Sequence, residues 1–165
     1  MKVALCAERF EVFDGILLTM KDGSGFREHA HTADWELEVW APHLPGLLNQ
    51  AALGMQTLCG MRLEDRPRQV RTMHLDGLDP ESLLVRFLSE LLWLAEQEGL
   101  GFDSFEMVLG EQGDPVDRQQ PLHLEVRMEG APIAGLDKEI KAVTYHNLEV
   151  RQTGNGLEAN IVFDV

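Results

Sequence analysis

An α+β fold is predicted, a two-layer sandwich of two main helices packed on a largely antiparallel β-sheet, and three features of the sequence predict it. Two segments repeat apolar residues at intervals of three and four, several others alternate apolar and polar residues, and the connections between them are short. From about Pro45 to Met61 the residues Leu47, Leu48, Ala51, Ala52, Met55, Leu58 and Cys59 form one buried stripe, with Gly60 placed to end it. The second helix has Asp79 as its cap and Pro80 in its first turn. Leu84, Phe87, Leu88, Leu91, Leu92 and Ala95 follow before Gly99 stops the run.

Strands account for much of the rest. WELEVWA, 35–41, turns Trp35, Leu37 and Val39 to one face and Glu36, Glu38 and Trp40 to the other. Segments 68–76, 104–109, 122–128, 141–151 and 157–165 are further strands, and Asn155-Gly156 supplies the positive φ angles of a hairpin between the last two. Residues 111–121 and 129–139 read as loops, and GSGF at 23–26 as a turn. Residues 1–25 form one or two strands and a Gly-rich turn, too apolar for a disordered tail.

The chain's 165 residues suit one domain, and 44% hydrophobic with 25% charged residues is ordinary for a globular one. Its charge is not ordinary: 28 acidic against 14 basic residues leave a net charge of −14. Nucleic-acid affinity rests on Lys and Arg neutralising phosphates, so direct RNA or DNA binding is not expected. The same field attracts hard cations and speeds encounter with a basic protein. Cys6 and Cys59 form no CxxC pair and are expected as free thiols. Glu8 and Arg9 interrupt the first apolar run, and no run reaches membrane-spanning length, so a cytoplasmic protein without a membrane association is expected.

Several chemistries lack their signatures. There is no GxSxG elbow, no GxxxxGK[ST] phosphate loop and no GxGxxG. HAHTAD, 29–34, turns His29 and His31 to one face if extended, and His146 could join them on a transition metal. Without a CxxC, however, surface histidines are the simpler reading. Carboxylates make a better case. Asp34, Glu36 and Glu38 share the polar face of one strand, and Glu158, Asn160 and Asp164 that of another, with the Val165 carboxylate next in line. Oxygen donors of this kind suit Ca²⁺, whereas pattern alone favours a solvated acidic face. KAVTYHNLEV, 141–150, alternates without a cleanly apolar face: Lys141 can neutralise carboxylates or meet a partner, and Tyr145 and His146 can be half-buried residues with one hydrogen bond each.

Four blocks, HTAD at 31–34, FLSELLWLAEQEGL at 87–100, KAVTYHNLEV at 141–150 and IVFDV at 161–165, resemble the archease family in order and spacing. The likeness covers roughly 26–165 as one archease-like domain and leaves 1–25 as an N-terminal extension, with Met20 an alternative start. Trp35-Glu36 departs from the small or aliphatic residues usual after HTAD. The resemblance implies a non-enzymatic activator of a GTP-dependent RNA ligase. That ligase joins 3′-phosphate or 2′,3′-cyclic phosphate ends to 5′-hydroxyl ends in tRNA splicing or RNA repair, and the helper promotes its guanylylation and turnover. It also implies a divalent, calcium-type metal on Asp34, Asp164 and the main chain of Val165. Lys141, His31 and His146 are then candidates for the partner-facing surface. The alternative is a general chaperone-like modulator of RNA-processing enzymes such as tRNA methyltransferases. A third reading, a metal-dependent hydrolase, lacks an evident base or nucleophile.

Overall fold

The computed structural model describes residues 10–13, 16–19, 23–30, 34–110 and 121–165. The predicted α+β architecture is present, but the strands divide into two main antiparallel sheets rather than one. Strands β1 (Phe10–Phe13) and β2 (Ile16–Thr19) form a hairpin of their own. A five-stranded sheet contains β3 (Gly25–Ala30), β4 (Trp35–Ala41), β9 (Ala142–Val143), β10 (Arg151–Thr153) and β11 (Gly156–Asp164). A four-stranded sheet contains β5 (Arg62–Leu63), β6 (Gln69–Gly77), β7 (Leu100–Leu109) and β8 (Leu122–Gly135).

Helix α1 (Leu44–Leu58) packs on β3 and β4, helix α2 (Pro80–Glu98) packs on β6 and β7, and the two helices touch. Their apolar stripes and the inner faces of both sheets make one continuous core. Leu37, Val39, Leu47, Leu48, Phe87, Val126 and Phe163 are among its buried side chains. Cys59 is a buried free thiol. Burial pushes that thiol above its ordinary range, and the charge of Asp137 adds in the same direction. No helix among the described residues is long and apolar enough to cross a membrane.

Local chemistry explains the helix ends. Ser82 N–H donates to Asp79 Oδ1 at 2.7 Å, and Asp79 N–H donates to Ser82 Oγ at 3.1 Å, a reciprocal capping box. Gly99 ends α2 with φ 64°. Asp79→Ala is therefore expected to lower stability by about 1 kcal/mol, read from the urea midpoint. Helix α1 begins one residue earlier than predicted, because Nδ1 of His43 accepts the Gly46 N–H at 3.1 Å. Histidine is not among the usual caps, so the pattern carried no warning.

Three expectations need correction. The 129–139 loop is strand as far as Gly135, since β8 continues past Gly130, Ala131 and Pro132. Gly130 marks a close crossing rather than a turn, because a Cβ there would run into the Gly101 carbonyl of β7. The hairpin turn after β10 is Gly154-Asn155, with Thr153 opposite Gly156. Only Gly156 takes a positive φ, 134°, and a Cβ there would meet the Ala41 carbonyl. In GSGF, Gly25 and Phe26 already belong to β3.

Candidate functional site

A further correction concerns KAVTYHNLEV, which is not one strand. Only Ala142 and Val143 pair with β11, opposite Asp164 and Phe163. Asn147 then turns left-handed at φ 53°, Leu148 and Val150 pack toward the core, and the chain rejoins the same edge of β11 as β10. Three bonds tie the intervening loop to the rest of the chain, the first from the Thr144 N–H to the Val162 carbonyl at 3.0 Å. Thr144 Oγ1 donates to the Val162 carbonyl at 2.9 Å, and the Val150 N–H donates to Glu81 Oε1 at 2.8 Å. Tyr145 is therefore 61% exposed rather than half-buried. His146 is exposed in the same turn, with Nε2 3.1 Å from Asn147 Nδ2.

Strand β11 lies between β4 on one side and β9 and β10 on the other. Its register against β4 runs from Leu157 opposite Ala41 to Phe163 opposite Trp35. One residue beyond that last pair, on each strand, stand Asp34 and Asp164. The ladder itself stops at that pair: Asp34 sits at a bend just before β4, and Asp164 pairs with Ala142 of β9. Since Phe163 points into the core, the next residue points outward. Both aspartates are exposed, and among the described residues neither carboxylate has an ion pair.

Elsewhere on this outer face the acids are matched. Glu38 Oε2 lies 3.5 Å from Arg27 Nη1 and 3.0 Å from His29 Nε2, and Glu158 lies 3.2 Å from Arg151. Among the described residues, the carboxylates at the Asp34–Asp164 end therefore remain without an ion pair. Lys141 stands there: its N–H donates to the Asp164 carbonyl at 2.8 Å, and its Nζ donates to the Val165 main-chain oxygen at 3.0 Å. Lys141, Asp164 and Val165 are thus brought together, with Asp34 on the adjacent strand.

His29 and His146 are not joined to this group. His29 is engaged with Glu38, His31 lies outside the described residues, and no hydrogen bond links His146 to Asp34, Asp164 or Lys141. Among the described residues no group of three or more His, Cys, Asp and Glu is gathered to hold a metal. The candidate set is smaller than that, two carboxylates and a main-chain oxygen. Its donors are all oxygen, which fits a hard divalent cation and does not fit zinc. A cation there must share the Val165 oxygen with Lys141 or displace it.

Sequence reasoning missed the support around this group. Lys138 Nζ lies 4.4 Å from the centre of the Trp35 ring, a cation–π contact that gives the unusual Trp35 a partner. A Lys and a Trp a hundred residues apart carry no periodic signal. On the outer face of the other sheet, His123 Nδ1 lies 2.5 Å from Asp76 Oδ1, an exposed pair of the kind that contributes little to stability.

Comparison with known proteins agrees with this arrangement of elements. The family model described as the Archease protein family (MTH1598/TM1083) matches residues 26–165. "Protein archease" of Methanosarcina barkeri is 32% identical over 137 residues, covering 82% of this chain and 92% of the relative. That of Methanosarcina acetivorans is 32% identical over 145 residues, covering 87% and 97%. The solution structure of Methanobacterium thermoautotrophicum protein 1598 shares the fold with a TM-score of 0.64 at 24% identity, covering 85% of this chain and 98% of that one. A Thermotoga maritima crystal structure, described as "an archease, possible chaperone", superposes with a TM-score of 0.56 at 21% identity, covering 84% and 94%. A family model that spans all but the first 25 residues, together with relatives matched over nearly their whole length, establishes that this chain belongs to the archease family.

Proposed function

We propose that this chain is a non-catalytic activator of a GTP-dependent RNA ligase that joins 3′-phosphate or cyclic phosphate ends to 5′-hydroxyl ends, and that it promotes guanylylation and turnover of the ligase in tRNA splicing or RNA repair. Family membership across 26–165 is the observation that carries this reading. The net charge of −14 supports it, because a strongly acidic chain meets a basic RNA-binding enzyme readily and RNA itself poorly. A cytoplasmic setting belongs to the same reading.

Asp34, Asp164 and the Val165 main-chain oxygen would hold a divalent cation of the calcium type. Such an ion supplies a fixed positive charge among hard oxygen ligands. The Lys141 ammonium holds the Val165 oxygen in place and offers a second positive charge at the same end of the sheet. His31, from the HTAD block, and the exposed His146 are the further residues that would meet the ligase in this reading. The protein positions charge at its partner's centre and leaves bond making to the partner.

The test is to mix this protein with a cognate ligase, GTP and Mn²⁺ and follow covalent attachment of GMP to the ligase. Acceleration of the attachment is the expected result, and an unchanged rate would reject the reading. A general chaperone for RNA-processing enzymes is the second reading, favoured by the acidity alone. It predicts equal help to an unrelated tRNA methyltransferase and insensitivity to substitution at Asp34.

A further inference from the structure

A cleft of about 480 Å³ opens between the end of α1, the C-terminal part of α2 and the loop leading into β9. Met61, Leu92, Ala95 and Leu136 give it an apolar lining, and Leu136 is 42% exposed at its mouth. Trp93, 52% exposed, stands on the adjoining face of α2, three residues from Glu96 and therefore beside it. A concave apolar surface next to an exposed tryptophan gains free energy when water is displaced from it, and such surfaces are where binding energy concentrates.

The charges at the rim decide what the cleft accepts. Three of the five are already engaged. Asp137 holds Arg62 at 2.6 Å, Lys138 lies over Trp35 at 4.4 Å, and Lys141 holds Val165 at 3.0 Å. Glu96 and Glu139 are exposed and have no ion pair among the described residues. Glu96 and Glu139 are thus the carboxylates that the rim leaves open to an approaching cation. Lys141 lines this cleft and also touches the chain end, so an occupant would sit directly beside the Asp34–Asp164 group.

We infer that this cleft anchors the ligase through a short segment carrying one or two large apolar side chains flanked by Arg or Lys. The inference rests on the activator reading above and deepens it, separating an anchoring surface from the charged end that acts. The apolar side chain fills the cleft and the flanking cations meet Glu96 and Glu139. The anchor then fixes the angle at which the Asp34–Asp164 end faces the partner.

Binding kinetics of the full chain to the ligase provide the test, run beside the guanylylation assay. Ala95→Arg, which fills the cleft, is expected to weaken affinity roughly tenfold or more, mainly through faster dissociation. The double variant Glu96→Lys/Glu139→Lys changes only exposed residues, so its fold is not at risk. It is expected to slow association and to flatten the salt dependence of binding. Both variants should reach the wild-type guanylylation rate at saturating concentration, whereas Asp34→Ala should bind normally and fail to accelerate. Wild-type affinity and salt dependence in the double variant would overturn the cleft while leaving the activator reading intact. A wild-type chain that neither binds nor activates the ligase would overturn both.

Discussion

Replacing either Asp34 or Asp164 by alanine is expected to reduce the acceleration of ligase guanylylation by at least about tenfold, toward a hundredfold. Changes one shell removed from a metal already cost that much in affinity or activity, and these two carboxylates would be direct ligands. Neither substitution should unfold the protein, since both side chains are exposed and have no ion pair among the described residues. Circular dichroism and the melting temperature, measured beside the assay, separate lost activation from lost structure. Calcium gives an independent reading: an ion that binds the folded chain raises its melting temperature, and this rise should disappear in both variants. Full activation by Asp34→Ala and Asp164→Ala would reject the assignment, however close the two strands lie.

The largest loss of stability is expected at Phe87. Its ring is fully buried on the inner face of α2 and meets Phe105 edge-on, with centroids 5.8 Å apart at 84°. Phe87→Ala removes both the burial and the aromatic contact and leaves a cavity between the helix and the four-stranded sheet. The expected penalty is about 3–5 kcal/mol by urea unfolding, enough to consume much of the stability of a single domain. Trp93→Ala, six positions along the same helix but 52% exposed, should change stability by less than about 1 kcal/mol. Equal losses at the two positions would contradict the packing described for α2.

Helix α2 shows what sequence discloses well. Its cap, its apolar stripe and its terminating glycine are local, so Asp79, Leu84 to Leu91 and Gly99 could be read without knowing any neighbour. Strand β4 was equally plain, since alternation is fixed by the pleat. The errors arose where distant contacts set the outcome. Pro132 and Gly130 look like turn residues, yet the close approach of β7 requires one of them and tolerates the other. KAVTYHNLEV looks like a strand, but Asn147 leaves the ladder so that Leu148 and Val150 can reach the core. The candidate site was half legible for the same reason. Outward-facing aspartates at 34 and 164 follow from alternation, whereas the register that lines up their strands is a tertiary fact. The cleft beside Lys141, built from three separate segments, left no trace in any local pattern.

The position of β11 in the chain has a consequence for biogenesis. It follows every other described strand in the chain, yet its place is in the interior of the sheet, with β4 from much earlier in the chain on one side and β9 and β10 on the other. Until β11 has been made, β4 waits with one edge unsatisfied and Leu37 and Val39 without their cover, an adhesive state for any nascent chain. Translation that stalls or stops early would therefore yield a sticky fragment rather than a weakened protein. The five-stranded sheet would close only when β11 arrives.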